Sequence, residues 1–198
     1  MKKLILGVAT VVAMMFTVQA NAQENIFSAG LELALPMGDF GDAANLGYGV
    51  SAQYEFGLTD RIGLNLNAGV LMYAMEGDGF SFTHVPIQVG GRFYLSESRE
   101  GLFLGVKAGV HIGMSKVDDM EVAGFTIEGS SDSNTNFSFA PEVGYFLTEN
   151  ISLALRYQII TAGKQEVSVE NPITGEVITQ EVDGEASSYL GLRIAYNF

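Results

Sequence analysis

His84 and His111 are the only two histidines in a chain of 198 residues that has no cysteine at all. Neither stands at metal-ligand spacing from another ligating residue, no segment has the oxygen-ligand spacing of an EF-hand loop, and no cofactor is expected. The remaining candidates are seven charged residues set inside otherwise apolar, alternating segments: Glu32, Glu55, Arg92, Lys107, Glu142, Arg156 and Arg193. A charge removed from water must be paired, so these residues point to ion pairing. Such pairs can plug an interior or gate a path through it.

The elements that must position these charges show a period of two. Eight segments alternate, roughly Ile26 to Leu35, Gly47 to Phe56, Ile62 to Tyr73, Thr83 to Leu95, Leu102 to Met114, Phe137 to Phe146, Ile151 to Ile160 and Ser187 to Phe198. Most have the 9 to 12 residues of a tilted membrane strand. In the first, Phe27, Ala29, Leu31, Leu33 and Leu35 share a face; in the last, Leu190, Leu192, Ile194, Tyr196 and Phe198 do. A soluble lipocalin-like ligand-binding barrel would alternate too, with the apolar face inside. The other face decides between them, because it is built of small residues such as Gly30, Ala34, Gly49, Gly63, Gly90, Gly105, Ala140, Gly144 and Gly191 rather than the Lys, Glu and Thr of a solvated surface. All seven charges fall on that small-residue face. In lipid an Arg or Lys on the opposite face costs about 2–4 kcal/mol near the midplane, so a bilayer would enforce this segregation. The expectation is an all-β fold, an eight-stranded antiparallel up-and-down transmembrane β-barrel.

The start of the chain reads as an export signal, with Lys2 and Lys3 ahead of the apolar run Leu4 to Val18 and the small-residue site Ala20-Asn21-Ala22. Residues 1–22 are expected to be removed after Ala22, leaving residues 23–198 as one barrel domain. Without cysteine there is no lipid-modified N-terminus and no disulfide framework, although the protein leaves the cytoplasm. Removing Lys2 and Lys3 from the ten basic residues leaves eight against 23 acidic ones, a net charge of −15. So acidic a chain is a poor nucleic-acid binder.

Connections alternate in length. Those at Gly57 to Arg61, Ser96 to Gly101 and Leu147 to Asn150 are short, whereas the other four are longer. This is the asymmetry of periplasmic turns and extracellular loops. The last two loops are expected to extend the sheet as hairpins, over Glu121 to Glu128 and around Asn171-Pro172-Ile173-Thr174-Gly175. The long loops carry 15 acidic residues against Lys116 and Lys164, a surface suited to solvation or to cations and basic partners. Phe27, Phe56, Phe93, Tyr145, Tyr196 and Phe198 fit an interfacial girdle. Pro86 and Pro141 each delete a ladder hydrogen bond inside a strand, and bulges are expected there.

Counting residues up from the short-turn ends puts Glu32, Lys107, Glu142, Arg156 and Arg193 at one height, as a belt. Strand adjacency predicts Glu142 paired with Lys107 and Arg156, and Glu32 with Arg193. A barrel of eight strands is only wide enough for side chains, so the belt would plug it. His84 and His111 are expected to be hydrogen-bonded lumen residues.

Taken in order, Leu35-Pro36-Met37-Gly38-Asp39-Phe40, Gly47-Tyr48-Gly49, Val85-Pro86-Ile87 and Ala140-Pro141-Glu142-Val143-Gly144-Tyr145 with Leu147-Thr148-Glu149-Asn150 resemble the small outer-membrane β-barrel family common in Bacteroidota, often labelled porin-like. The resemblance covers nearly all of the chain after the signal. It implies residence in the cell outer membrane as a monomer among outer-membrane lipid. The terminal Leu192-Arg193-Ile194-Ala195-Tyr196-Asn197-Phe198 resembles the strand by which barrel-assembly machinery recognises its substrates, with Tyr196 and Phe198 as the signal. Barrels that resemble outer-membrane acyl hydrolases place a Ser two residues after the active His. Here Gly113 follows His111 and Pro86 follows His84, against an enzyme of that class. The functions in competition are a structural or porin-like barrel with a largely closed, charge-belted lumen, and a surface interaction or adhesion protein displaying acidic loops.

Overall fold

The computed structural model describes residues 23–75, 80–117, 120–122, 125–127, 130–162, 164–170, 177–183 and 186–198. Its elements in chain order are β1 (Gln23–Met37), α1 (Asp39–Ala43), β2 (Ala44–Gly57), β3 (Ile62–Met75), β4 (Phe80–Tyr94), β5 (Gly101–Val117), β6 (Met120–Val122), β7 (Phe125–Ile127), β8 (Ser130–Thr148), β9 (Ile151–Ile160), β10 (Lys164–Glu170), β11 (Val177–Asp183) and β12 (Ser187–Asn197). The export signal expected at residues 1–22 lies outside the described residues.

Eight strands close into an antiparallel barrel in the order β1-β12-β9-β8-β5-β4-β3-β2. Closure removes the free edges an open sheet would leave in lipid, where an unpaired peptide group costs several kcal/mol. The seam joins the two ends of the chain, with Ala29 opposite Tyr196 and Glu32 opposite Arg193. No helix among the described residues is long and apolar enough to cross a membrane; the strands make the crossing.

The two faces are those the alternation requires. Leu31 is 66 % exposed and Phe198 71 %, while all seven strand charges are buried at 5 % or less. The apolar face therefore points outward, and the soluble lipocalin-like alternative, which needs it inside, fails. Rings gather at the short-turn end: Phe27 and Phe198 lie 5.6 Å apart between centroids, Tyr196 and Phe198 4.9 Å, and Tyr54 and Phe56 4.6 Å.

Three expectations need correction. The bulges expected at Pro86 and Pro141 are absent. Pro86 faces His111 and Pro141 faces Val106 within unbroken registers. On their other sides the ladder lapses and resumes in the same register, from Leu71↔His84 to Ala68↔Ile87 and from Phe139↔Ile159 to Glu142↔Arg156. Each proline drops its bond without displacing the strand, because its φ suits extended backbone and the opposite neighbour holds the register. The register shifts that do occur sit near strand ends, between Gln23 and Ile26, Ala44 and Gly47, and Phe146 and Thr148.

Second, β8 starts at Ser130, seven residues before the apolar alternation begins at Phe137. Ser130–Asn136 pairs with β5 as far as Val117, and a strand beyond the bilayer needs no apolar face. Third, the two loop hairpins form, β6 with β7 and β10 with β11, but as separate two-stranded sheets rather than extensions of the barrel. The turn at residues 171–176 and most acidic side chains of the long loops lie outside the described residues. The first loop holds α1, which the sequence did not announce. The chain leaves β1 through Gly38 at φ +62°, a conformation that favours glycine.

Candidate functional site in the barrel lumen

The inward positions of the strands stack in layers along the barrel axis. Nearest the short turns, Tyr94 of β4, Phe103 of β5 and Phe146 of β8 form a triangle with centroids 5.8–5.9 Å apart. Arg99, in the β4–β5 turn, donates from Nη2 to the Thr59 carbonyl at 2.9 Å and places its guanidinium 5.5 Å from the Tyr94 ring. Glycine makes room for these rings. A Cβ on Gly144 would run into the Phe103 ring.

Above the triangle lies the charge belt, in two clusters. In the first, Glu142 Oε2 is ion-paired with Lys107 Nζ at 2.6 Å, and Glu142 Oε1 accepts from Arg92 Nη2 at 2.8 Å. Arg92 also reaches Glu55 Oε2 at 3.2 Å and Gln53 Oε1 at 3.3 Å, and lies 4.3 Å over the Phe103 ring. Tyr94 donates its hydroxyl to Glu55. In the second, Arg156 forks onto Glu32, Nη2 to Oε2 at 3.1 Å and Nη1 to Oε1 at 3.2 Å. Arg193 Nε sits 3.5 Å from Glu32 Oε1 and donates at 2.8 Å to Ser51 Oγ, which donates in turn to Glu32 at 2.6 Å. Arg193 Nη2 completes the cluster on Ser28 Oγ at 3.1 Å.

The belt thus gathers Glu32, Lys107, Glu142, Arg156 and Arg193. Of the pairings expected, Glu142 with Lys107 and Glu32 with Arg193 form. Glu142 with Arg156 does not, although the two residues face each other across the β8–β9 ladder. Lys107 and Arg92 already occupy the two carboxylate oxygens of Glu142. Arg156 instead runs over Gly191, where a Cβ would lie 3.1 Å from its Cγ and Nε, and reaches Glu32 two strands away.

Arg92 and Glu55 are the belt members that counting residues from strand ends missed. Strands in a barrel are tilted and staggered, so equal counts are not equal heights. Ladder partners carry the information: Gly105 faces both Arg92 and Glu142, and with no side chain of its own it lets the two meet across β5. Gly63 does the same for Glu55, whose carboxylate fills the space that a Gly63 Cβ would need.

Toward the long loops, Gln88 Nε2 donates to Ser138 Oγ at 3.0 Å and to Gln158 Oε1 at 3.2 Å. Then come the histidines. His111 Nε2 and the Tyr189 hydroxyl are 3.2 Å apart, as expected of a hydrogen-bonded lumen residue. His84 differs. Its Nδ1, like that of His111, has no hydrogen-bond partner among the described residues, and its ring packs 4.6 Å from Phe82, 5.4 Å from Tyr73 and 5.8 Å from Phe40. Phe40 comes from α1, so the first loop folds its ring onto the lumen mouth. Among the described residues no group of three or more His, Cys, Asp or Glu could hold a metal ion. The chemistry of this interior is mutual neutralisation, with four cations and three carboxylates tied to one another.

A family model described as "Outer membrane protein beta-barrel domain" matches residues 8–198. No curated protein sequence matches the chain. Among solved structures it resembles Ail, the attachment invasion locus protein of Yersinia pestis, at 14 % identity and a TM-score of 0.56, covering 88 % of this chain and 97 % of that one. A major outer membrane protein from Thermus thermophilus gives 15 %, 0.53, 89 % and 100 %. The N-terminal β-barrel domain of Pseudomonas aeruginosa OprF gives 13 %, 0.51, 90 % and 100 %. At these identities the likeness is one of fold.

Proposed function

This chain belongs to the outer membrane protein beta-barrel domain family, which sets it in the outer membrane with a role in the cell envelope, and we propose that its barrel is a closed, non-conducting scaffold. The observation that carries this reading is the belt in which Glu142 ties Lys107 to Arg92 and Glu32 ties Arg156 to Arg193 across the lumen. Aromatic layers flank it on both sides. Opening a path would mean separating buried ion pairs, and a pair broken in a dry interior costs about 3–5 kcal/mol. The proposal includes export with cleavage after Ala22, assembly through the terminal strand ending in Tyr196 and Phe198, a monomeric state, and no catalytic role. Purified, refolded protein in a planar bilayer is expected to give no conductance steps; sustained conductance above background would overturn the closed lumen.

A second reading is favoured by charge. The long loops carry 15 acidic residues against two lysines and, by the asymmetry of such barrels, face the outside of the cell. Ail has been crystallised with a heparin analogue, sucrose octasulfate. That polyanion is the opposite of what these loops would attract, so a surface role for this chain calls for a cationic partner. Capture of a basic protein by whole cells, lost at high salt and on trimming the loops, would support it; capture unchanged by trimming would count against it.

A further inference from the structure

The barrel closes completely at the level of the belt, but not at its outer end. β5 and β8 stay paired from Gly101↔Phe146 out to Val117↔Ser130. The other side of β8 meets β9 only as far as Ser138↔Ile160, with two further bonds to the Phe137 carbonyl, from the Thr161 N–H at 2.9 Å and the Thr161 Oγ1 at 3.0 Å. The chain then leaves the ladder, and β10 pairs with β11 instead. Among the described residues, Ser130–Asn136 is therefore paired on one side only. Seven residues of strand make an open edge of about 24 Å.

Which backbone groups this edge offers follows from the Phe137 bonds. In an antiparallel strand the N–H and C=O of one residue point to the same side, and the sides alternate. Phe137 faces β9, so Thr135, Ser133 and Ser131 present theirs to the open side. One of these donors is already engaged: the Ser133 N–H bonds the Asp132 Oδ1 at 2.8 Å, a side chain standing where a neighbouring strand's carbonyl would be. The edge has no Lys and no Pro, the residues that commonly blunt such edges, and residues 131–135 are exposed.

We propose that this edge of β8 takes an extended, basic segment of a partner protein by strand addition. Backbone bonding at Ser131 and Thr135, and at the Ser133 carbonyl, would supply affinity. Asp132, with the acidic loops around the same mouth, would select Lys and Arg and disfavour a second copy of this acidic chain. The inference rests on the reading of the loops as an outward-facing surface and is independent of whether the lumen conducts.

The test uses the mature full chain refolded in nanodiscs and a peptide of alternating Thr and Lys about as long as the edge. Its twin, N-methylated along its length, keeps the charge and loses every backbone donor. The plain peptide is expected to bind, and the twin about tenfold or more weakly, the loss of one or more backbone hydrogen bonds. Ser131→Pro and Thr135→Pro remove donors from the open side without touching the β5 ladder. Each should weaken binding by a similar factor while the barrel keeps its heat-modifiable migration, and either variant suffices if the other fails to fold. Equal binding of peptide and twin, both lost in salt, would overturn strand addition and leave the acidic-surface reading standing. Binding of neither peptide would overturn both. Loss of a wild-type dimer in the proline variants would show that the edge serves a second copy and overturn the partner proposed.

Discussion

β8 carries two opposite situations on one strand. At Glu142 it is hemmed in on both sides, with Gly105 opposite on β5, Arg156 opposite on β9 and both carboxylate oxygens engaged. Near Ser133 it has one neighbour among the described residues, and its own Asp132 side chain bonds the N–H that faces the other side. The same backbone tolerates both because the solvent differs. Inside the bilayer every polar group must find a partner within the protein, whereas past the membrane water serves. The inner part of the strand is thus overdetermined, and the outer part is bonded on one side only among the described residues.

If that contrast is right, the largest effect should come from the middle of the strand. Glu142→Gln strands Lys107 and Arg92 without their shared carboxylate and should cost about 3–5 kcal/mol in urea-titrated unfolding from vesicles. Leu31→Arg, one residue from inward-facing Glu32 but on the lipid side, should cost about 2–4 kcal/mol. If it cost nothing, the assignment of faces would be wrong. Gly144→Ala drives a Cβ into the Phe103 ring and should cost about 1–3 kcal/mol, with loss of the aromatic near-ultraviolet signal as an independent check. Asp132→Ala at the open edge should change stability by less than about 0.5 kcal/mol. A large loss there would mean that the edge is structurally closed after all.

Much of this was readable in the residues. Alternation fixed the strands and their faces, because a one-residue error in phase would have put Glu32 or Arg193 into lipid. It also placed all seven charges inward. What it could not supply was height. Arg92 and Glu55 read as inward, but a count from the strand ends does not bring them to the height of the belt, since the stagger of the barrel emerges only when all eight strands are in register. The glycines that let the belt form, Gly63, Gly105 and Gly191, were visible as a small-residue face, but which bulky neighbour each one accommodates depends on that register. The prolines misled for a related reason: a missing N–H suggests a bulge locally, while neighbouring strands hold the global register. The overhang of β8 was illegible because Ser130–Asn136 is polar throughout, and beyond the membrane pairing needs no apolar signature.

In the closed barrel we propose, side chains fill the lumen from wall to wall. Because the chain has no cysteine, a Ser138→Cys variant gives a single thiol at a fully buried lumen position between the belt and the histidines. Labelling it with a small, charged thiol reagent in the folded barrel reports whether solvent reaches that depth of the lumen. The thiol should stay unmodified from either side of the membrane and react only once heating unfolds the barrel. Rapid labelling of the folded form would mean that water and ions reach the belt, contradicting a closed lumen.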